Sequence, residues 1–569
     1  MAGSLGAAMT RILLASAIAW GALWGGAAHA QLVGDAAAKF NLVSDFVPAG
    51  TLSQPTDIAF LPDGRVVITQ KNGNIAVRTA TGMLMANVGR PPGPIDTGSE
   101  KGLLGVVVHP NFAANKTLFF YVSNGPDTAN RHRVLSATIA DNNSFMFNGT
   151  PIIDRGLEGP ANHDGGGLQI YNNQLYVSVG DTGANFTPPY NKYGACLNKA
   201  NGKILRVNLD GSVPTDNPLS GLAAVTGCAS RGERSGNNPP ADPQSDFAMM
   251  PPDTRIFTWG FRNPFRFWVD PGTGRLWIGD VGEGFREEVS ISDPVSQIVT
   301  NKGQHFGWPF AEGTRTYAGW NGWTPKTCNQ MTPGIACTPP AHEYPHTGGD
   351  DCIIGGLIPV DACGWPTEYK SKYFYGDHGS NRVFALDVNG DRSGVMGART
   401  TLGTVGGMSS FRMGHNAGLY LTIEKTGAVA MIQPKNLPMS CMTNANPSSD
   451  GGVNPDAAPR DASTTDSARD GAGTGGAGGA GGAAGGAGGN GGTGGGAGGA
   501  GGGSGGGGAA GGRGGQGGAG GGTTTADGGA GPTKKGGGGC AMSGTTGGAA
   551  GLLVAMAMVV AGLRRFRRR

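Results

Sequence analysis

The chain has 569 residues, a formal net charge of +3 and a charged fraction of only 15%. So balanced a charge leaves no basic face of the kind a nucleic-acid partner requires, and none is expected. The 108 glycines gather toward the C-terminus, so whole-chain averages describe no single part of the molecule.

Residues 1–30 hold one early cation, Arg11, an apolar run from Ile12 to Ala28, and the small-x-small sequence Ala28-His29-Ala30. This is a secretory signal with cleavage expected after Ala30. The run is interrupted by glycine and short for a bilayer core of about 30 Å, which disfavours a spanning helix. Export is therefore expected.

Residues 31–441 form the globular part, large enough for an extensive all-β unit. No long stretch repeats its apolar positions every 3.6 residues. Short β-branched and aromatic runs instead alternate with Gly, Pro, Asp and Asn, as in 57–69, 168–179, 267–278 and 419–423. Each reads as strand, polar turn and strand. Hairpins repeated without intervening helices predict radial β-repeats, because a closed ring protects strand edges that a flat sheet exposes. A two-sheet sandwich is the alternative, but it rarely needs so many strands. A propeller also gathers loops from every blade around a mouth on its axis.

Seven cysteines fall in this part: Cys196, Cys228, Cys328, Cys337, Cys352, Cys363 and Cys441. After export they can oxidise, and close spacing favours Cys328 with Cys337 and Cys352 with Cys363, leaving Cys441 without an obvious partner. No CxxC or neighbouring histidine completes a zinc set. The stretch Asp387-Val388-Asn389-Gly390-Asp391 alternates oxygen ligands like the start of a calcium loop. Arg392 stands where such a loop needs glycine, so a hairpin turn is expected.

Residues 442–539 are mainly Gly and Ala, with too few side chains to offset the entropy of ordering, and read as a disordered linker. The last segment, 540–569, carries Cys540, an apolar stretch from Ala549 to Leu563 and a terminal Arg cluster. It resembles the C-terminal sorting tails of myxobacterial surface proteins, which implies cleavage or lipid attachment at Cys540. A permanent single-pass anchor is the alternative. Either implies membrane attachment through the tail, on the cell surface or outer membrane, unless the protein is released as secreted.

Four further segments occur in order: 100–112 (Glu100-Lys101-Gly102-Leu103-Leu104-Gly105 to His109-Pro110-Asn111-Phe112); Asn162-His163-Asp164-Gly165-Gly166-Gly167 closing with Gly180-Asp181; Gly260-Phe261-Arg262-Asn263-Pro264-Phe265-Arg266 leading to Gly279-Asp280-Val281-Gly282-Glu283-Gly284 and Glu287-Glu288; and Phe306-Gly307-Trp308-Pro309 followed by Tyr373-Phe374-Tyr375-Gly376-Asp377. Together they resemble the glucose/sorbosone dehydrogenase family. That family uses pyrroloquinoline quinone (PQQ) and includes the propeller of hedgehog-interacting proteins. The resemblance implies a six-bladed β-propeller and a PQQ- and calcium-dependent dehydrogenase that oxidises an aldose and passes electrons to an external acceptor.

Oxidising a sugar hemiacetal needs a base for the hydroxyl proton, an acceptor for hydride, and positive charge where the acceptor becomes anionic. An imidazole titrates near neutral pH, so His163, set among glycines, suits the base. The resemblance implies that Asp181 orients it and that Arg262 meets the reduced acceptor as a third catalytic group. It further implies cofactor contacts from Glu100, Arg262, Asn263, His378 and Arg412. Backbone oxygens of Gly282 and Glu283 would hold the calcium beside PQQ, with Glu288 at a second, structural calcium. The chain departs from the family at Gly167, where sugar-oxidising members carry arginine, and at Glu283, where some carry proline. These departures, with the cysteine-bearing insertions, keep a second reading open: a non-catalytic surface propeller that binds a glycan or protein, as hedgehog-interacting propellers do.

Overall fold

The computed structural model describes residues 30–124, 131–159, 162–183, 192–229, 247–316, 328–332 and 334–442, all within one compact unit. The signal segment before residue 30, the linker beyond 442 and the tail with Cys540 lie outside the described residues.

Among the described residues, six antiparallel sheets of four or five strands follow one another along the chain, and two further two-stranded sheets lie in the connections. Blade 1 runs Pro55–Phe60, Val66–Gln70, Ile75–Arg78 and Leu84–Gly89 from its inner to its outer strand. Blade 2 begins at Leu103–Val108, blade 3 at Leu168–Tyr171, blade 4 at Pro264–Val269, blade 5 at Ile353–Leu357 and blade 6 at Met408–Met413. Each of these inner strands touches the inner strands of both neighbouring blades, and that of blade 6 touches that of blade 1. The ring is closed, and the six-bladed propeller expected from the sequence is the fold.

Closure is made by the start of the chain. Phe40–Val47 forms the outer strand of blade 6, paired antiparallel with Ala428–Pro434 from Phe40 opposite Pro434 to Val47 opposite Val429. Both ends of the propeller are thereby tied into one sheet. Packing between blades is apolar and aromatic: Trp277 of blade 4 stacks on Tyr373 of blade 5 with ring centroids 4.8 Å apart. Strands such as Val66–Gln70 are buried along their whole length, which matches their Val and Ile content. Helices are confined to short connections of at most six residues among the described elements. Among the described residues, no helix is long and apolar enough to cross a membrane.

The cysteines correct one part of the sequence reading. Cys328 bonds Cys337 as expected, and Cys196 bonds Cys228. Cys363, however, bonds Cys441 rather than Cys352, so Cys441 has a partner after all. Cys352 is itself disulfide-bonded. The reason is geometric: the five-residue inner strand Ile353–Leu357 stands between Cys352 and Cys363 and carries the chain about 16 Å from one face of the ring to the other. A disulfide needs Cα atoms within about 7 Å. Sequence proximity misled because a strand, not a turn, separates the two residues. The 387–391 stretch is the expected hairpin turn, with Asn389 Oδ1 accepting the backbone N–H groups of Ser393 and Gly394.

Candidate active site

Inner strands all run away from one end of the propeller, and second strands run back to it. Residues just before an inner strand and just after a second strand therefore meet at a single mouth. Glu100 precedes the inner strand of blade 2, His163 that of blade 3, and Arg262-Asn263 that of blade 4. Asp181 follows the second strand of blade 3, Glu283 that of blade 4 and His378 that of blade 5.

His163 sits at the centre of this group, with only 3% of its surface exposed. Its backbone is left-handed, at φ +62°, a conformation that needs support from its surroundings. That support is the bond from its N–H to Glu100 Oε2 at 2.9 Å and the close approach of its carbonyl to Gly180. A Cβ on Gly180 would lie 1.9 Å from the His163 oxygen, so glycine is required there. The ring Nδ1 lies 2.7 Å from Asp181 Oδ1, while Nε2 is buried with no hydrogen-bond partner among the described residues.

Asp181 is held in turn. Oδ2 accepts the indole N–H of Trp308 at 2.9 Å, Oδ1 accepts the N–H of Gly183, and its own N–H donates to the Arg262 carbonyl at 2.7 Å. Trp308 lies in the quoted Phe-Gly-Trp-Pro segment, but its role was invisible because nothing local links residue 308 to residue 181.

Glu100 accepts from Asn263 Nδ2 at 3.2 Å, and its second oxygen, Oε1, is buried without a hydrogen-bond partner among the described residues. Burial pushes this carboxyl above its usual range, against the pull of nearby His163. The Arg262-Asn263 turn is fixed by Asp280, whose two oxygens accept the N–H groups of both residues at 3.1 and 2.7 Å. Burial pushes Asp280 up to about 7.

Arg262 is fully committed within the protein. Its Nε and Nη2 meet Glu283 Oε2 at 2.8 and 2.6 Å, and Nη1 donates to the Val281 carbonyl at 2.9 Å. Burial disfavours its charge, but the Glu283 carboxylate, aided by Asp181, more than compensates and holds its pKa above the ordinary arginine value. Glu283, a departure in the sequence, is thus the counter-ion of Arg262. Gly167, the other departure, packs where an added Cβ would meet Ser178 Oγ at 2.9 Å and Phe267 at 3.0 Å. A side chain there would have to displace the Ser178 hydroxyl and the Phe267 ring.

His378 stands at the same mouth beside Glu424, and Arg412 lies below it. His378 donates from Nδ1 to the Met408 carbonyl at 2.9 Å, and its buried Nε2, without a hydrogen-bond partner among the described residues, is 4.0 Å from Glu424 Oε2. Burial lowers its pKa. Arg412 lies near the far end of the blade 6 inner strand and grips Asp57 of blade 1 through Nε at 3.1 Å and Nη2 at 2.8 Å. The pair bridges the innermost strands inside the ring, below the mouth. Lys71, which the sequence reading passed over, is buried near Glu424, Glu100 and Asp164, and donates to the Ser99 carbonyl at 2.5 Å.

Among the described residues, no group of three or more His, Cys, Asp or Glu side chains is arranged to hold a metal. Around Gly282 and Glu283 the backbone has a different order: the N–H groups of Glu283, Gly284, Phe285 and Arg286 all converge on Glu312 Oε1 within 3.0 Å. Because a trans peptide sets its C=O opposite its N–H, the carbonyls of Gly282 and Glu283 face away from that carboxylate. Glu288 is buried against Asp280, and burial followed by that repulsion pushes its carboxyl well above the normal range.

The fold and site define a closed six-bladed propeller with a histidine–aspartate pair buried at its mouth. The family model described as Glucose / Sorbosone dehydrogenase matches residues 52–246 and 221–431, and the chain belongs to that family. An uncharacterized protein of Synechocystis is 28% identical over 47% of this chain and 59% of its own. The aldose sugar dehydrogenase YliI of Escherichia coli is 25% identical over 68% of this chain and 91% of its own. Quinoprotein glucose dehydrogenase B of Acinetobacter calcoaceticus is 26% identical, over 47% and 53%. The chain thus spans little more than half the length of two of these three relatives. A solved glucose dehydrogenase structure superposes with a TM-score of 0.51 at 20% identity, covering 70% of this chain and all of its own, a likeness of fold.

Proposed function

We propose that the protein is exported and oxidises an aldose at its anomeric hydroxyl, using PQQ and calcium and passing the electrons to an external acceptor. The observation that carries this reading is His163: Nδ1 is held by Asp181 while Nε2 is buried without a hydrogen-bond partner among the described residues. A buried orphan acceptor beside a fixed carboxylate is what a general base needs before its substrate arrives.

In this reading His163 Nε2 takes the proton of the anomeric hydroxyl, and Asp181 stabilises the imidazolium that forms. Trp308 and Gly183 keep that carboxylate in place. Glu100 Oε1, also without a hydrogen-bond partner among the described residues, receives a second sugar hydroxyl. When bound, PQQ supplies a quinone that accepts hydride. Asn263 and His378 would hold its polar edge, with Arg262 joining them where it is released from Glu283, and the outward carbonyls of Gly282 and Glu283 suit a hard cation. Glu288 is offered to a second calcium on the strength of its buried carboxyl. Arg412, saturated by Asp57, supports the ring beneath. Export is supported by the signal-like N-terminus and by disulfides, which persist in oxidising compartments. Attachment to the cell surface through the tail completes the proposal.

The test is dye-linked oxidation of a broad sugar panel after adding PQQ and Ca²⁺ to the purified protein. Activity that His163→Ala abolishes is expected; no turnover with any sugar overturns the reading. The Arg262–Glu283 pair favours one alternative, a propeller that binds a glycan or protein without turnover, since the guanidinium meant for the acceptor is already neutralised. Partner binding indifferent to PQQ and to His163→Ala would mark that case.

A further inference from the structure

In a ring of six, blade 6 stands opposite blade 3, the blade that His163 leads into. Glu424 follows the second strand of blade 6, Leu419–Ile423, and so reaches the mouth, where it is only 4% exposed. His378 follows the second strand of blade 5, Lys372–Asp377, and is buried as well. Gln54, just before the inner strand of blade 1, donates through Nε2 to Glu424 Oε1. The other carboxylate oxygen, Oε2, is left facing His378 Nε2 at 4.0 Å.

The tautomer of His378 is set by its other nitrogen. A carbonyl oxygen only accepts, so Nδ1, 2.9 Å from the Met408 carbonyl, carries the hydrogen, and a neutral ring keeps its lone pair on Nε2. The backbone is held as well: the His378 N–H donates to the Cys352 carbonyl at 2.8 Å, and its own carbonyl accepts from Lys425 Nζ at 3.1 Å. Nε2 is buried and has no hydrogen-bond partner among the described residues. A neutral His378 therefore sets one acceptor against another, the Glu424 carboxylate. A proton on Nε2 turns that opposition into an ion pair.

Several charges act on that proton. Burial opposes it most, and the Lys425 ammonium adds to the opposition, while Glu424 and Asp377 favour it. Asp351 of the same face responds to the ring's charge, and Lys71 of blade 1 faces Glu424. Asp377 is spent on the N–H groups of Asp351, Cys352 and Ser380 and on the Tyr344 hydroxyl, so Glu424 is the carboxylate placed to pair with Nε2. An anion entering the mouth adds the attraction that favours the charged ring. A tricarboxylate such as PQQ presents mainly acceptors, so the proton comes from solvent and the one bond made is N–H. We propose that Glu424 is a positioning residue of the cofactor site: it holds the proton that His378 Nε2 takes up, so that His378 meets the anionic cofactor as a cation and binding consumes one proton. The cofactor clause rests on the quinone reading; the pairing of Glu424 with His378 does not.

The test has two arms, both on the full-length protein. In the first, the His378 ring is titrated by NMR with isotope-labelled histidine, its signal assigned by its loss in His378→Gln. Glu424→Gln is expected to weaken the proton affinity of His378 about tenfold or more, and Glu424→Asp to restore part of it. In the second, PQQ with Ca²⁺ is titrated calorimetrically in mildly alkaline buffers of different ionisation heat. Uptake of about one proton per PQQ is expected, with affinity falling up to about tenfold for each pH unit, and neither effect in His378→Gln. A His378 titration that Glu424→Gln leaves in place overturns the pairing. PQQ binding without proton uptake, or with uptake that His378→Gln retains, overturns the cofactor clause. No PQQ binding at all, with the Glu424 effect present, sinks the quinone reading and the cofactor clause with it, while the pair stands.

Discussion

At the residue scale, the buried imidazole of His163 depends on groups far away in sequence. Asp181 holds Nδ1, Trp308 holds Asp181, and Glu100 holds the backbone of His163 itself. His163→Ala is expected to lower sugar oxidation by about 10²–10⁴-fold with the circular dichroism spectrum unchanged. Trp308→Phe, which removes one donor to Asp181 and keeps the ring's bulk, should cost about tenfold in kcat, and an unaltered kcat would show that the bond is ornamental. Glu283→Gln probes the opposite sign. Relieving Arg262 of its counter-ion should tighten PQQ binding by roughly tenfold in direct titration; weaker binding would mean that Glu283 serves the cofactor rather than competing for Arg262. His163, Asp181 and the Arg262-Asn263 turn were legible in the sequence because glycine-rich, ordered motifs surround them. Trp308 and Lys71 were not, since their meaning arises only when loops from different blades meet.

At the element scale, alternation of β-branched runs with turn residues revealed strands, but not which strand ends share a face. That omission explains the misassigned cysteines, since Ile353–Leu357 carries Cys352 and Cys363 to opposite ends of a blade. Cys363→Ser should lower stability by about 2–4 kcal/mol in denaturant unfolding, because the bridge to Cys441 closes a loop with a sequence separation of 78 residues. Replacing Cys352 instead should leave the 363–441 bridge intact in a peptide map. A second test concerns His305, between blades 3 and 4. It is wholly buried, its Nδ1 accepts the Gly307 N–H at 3.0 Å, and burial, aided by Lys203, lowers its pKa to about 3. A folded pKa below the unfolded value near 6.5 means that the unfolded chain binds the proton first. The stability contributed by neutral His305 is thus present above pH 6.5 and lost as pH falls toward 3. The melting temperature should decline over that window, and His305→Gln should flatten the decline.

At the scale of the whole molecule, the ring was legible as a repeat and its number of blades only through family resemblance, since hairpin spacing does not count blades. Closure by Phe40–Val47 was not visible at all, because pairing between the two ends of a domain leaves no local trace. The closed ring brings loops from every blade to one mouth, and family membership gives that mouth its chemical context. Whether it receives a quinone is the claim on which the proposed function turns. Calorimetric titration of the purified protein with PQQ, with and without calcium, tests it most directly. The account predicts one PQQ per chain, bound more tightly when Ca²⁺ is present. No binding heat at any calcium concentration would contradict it.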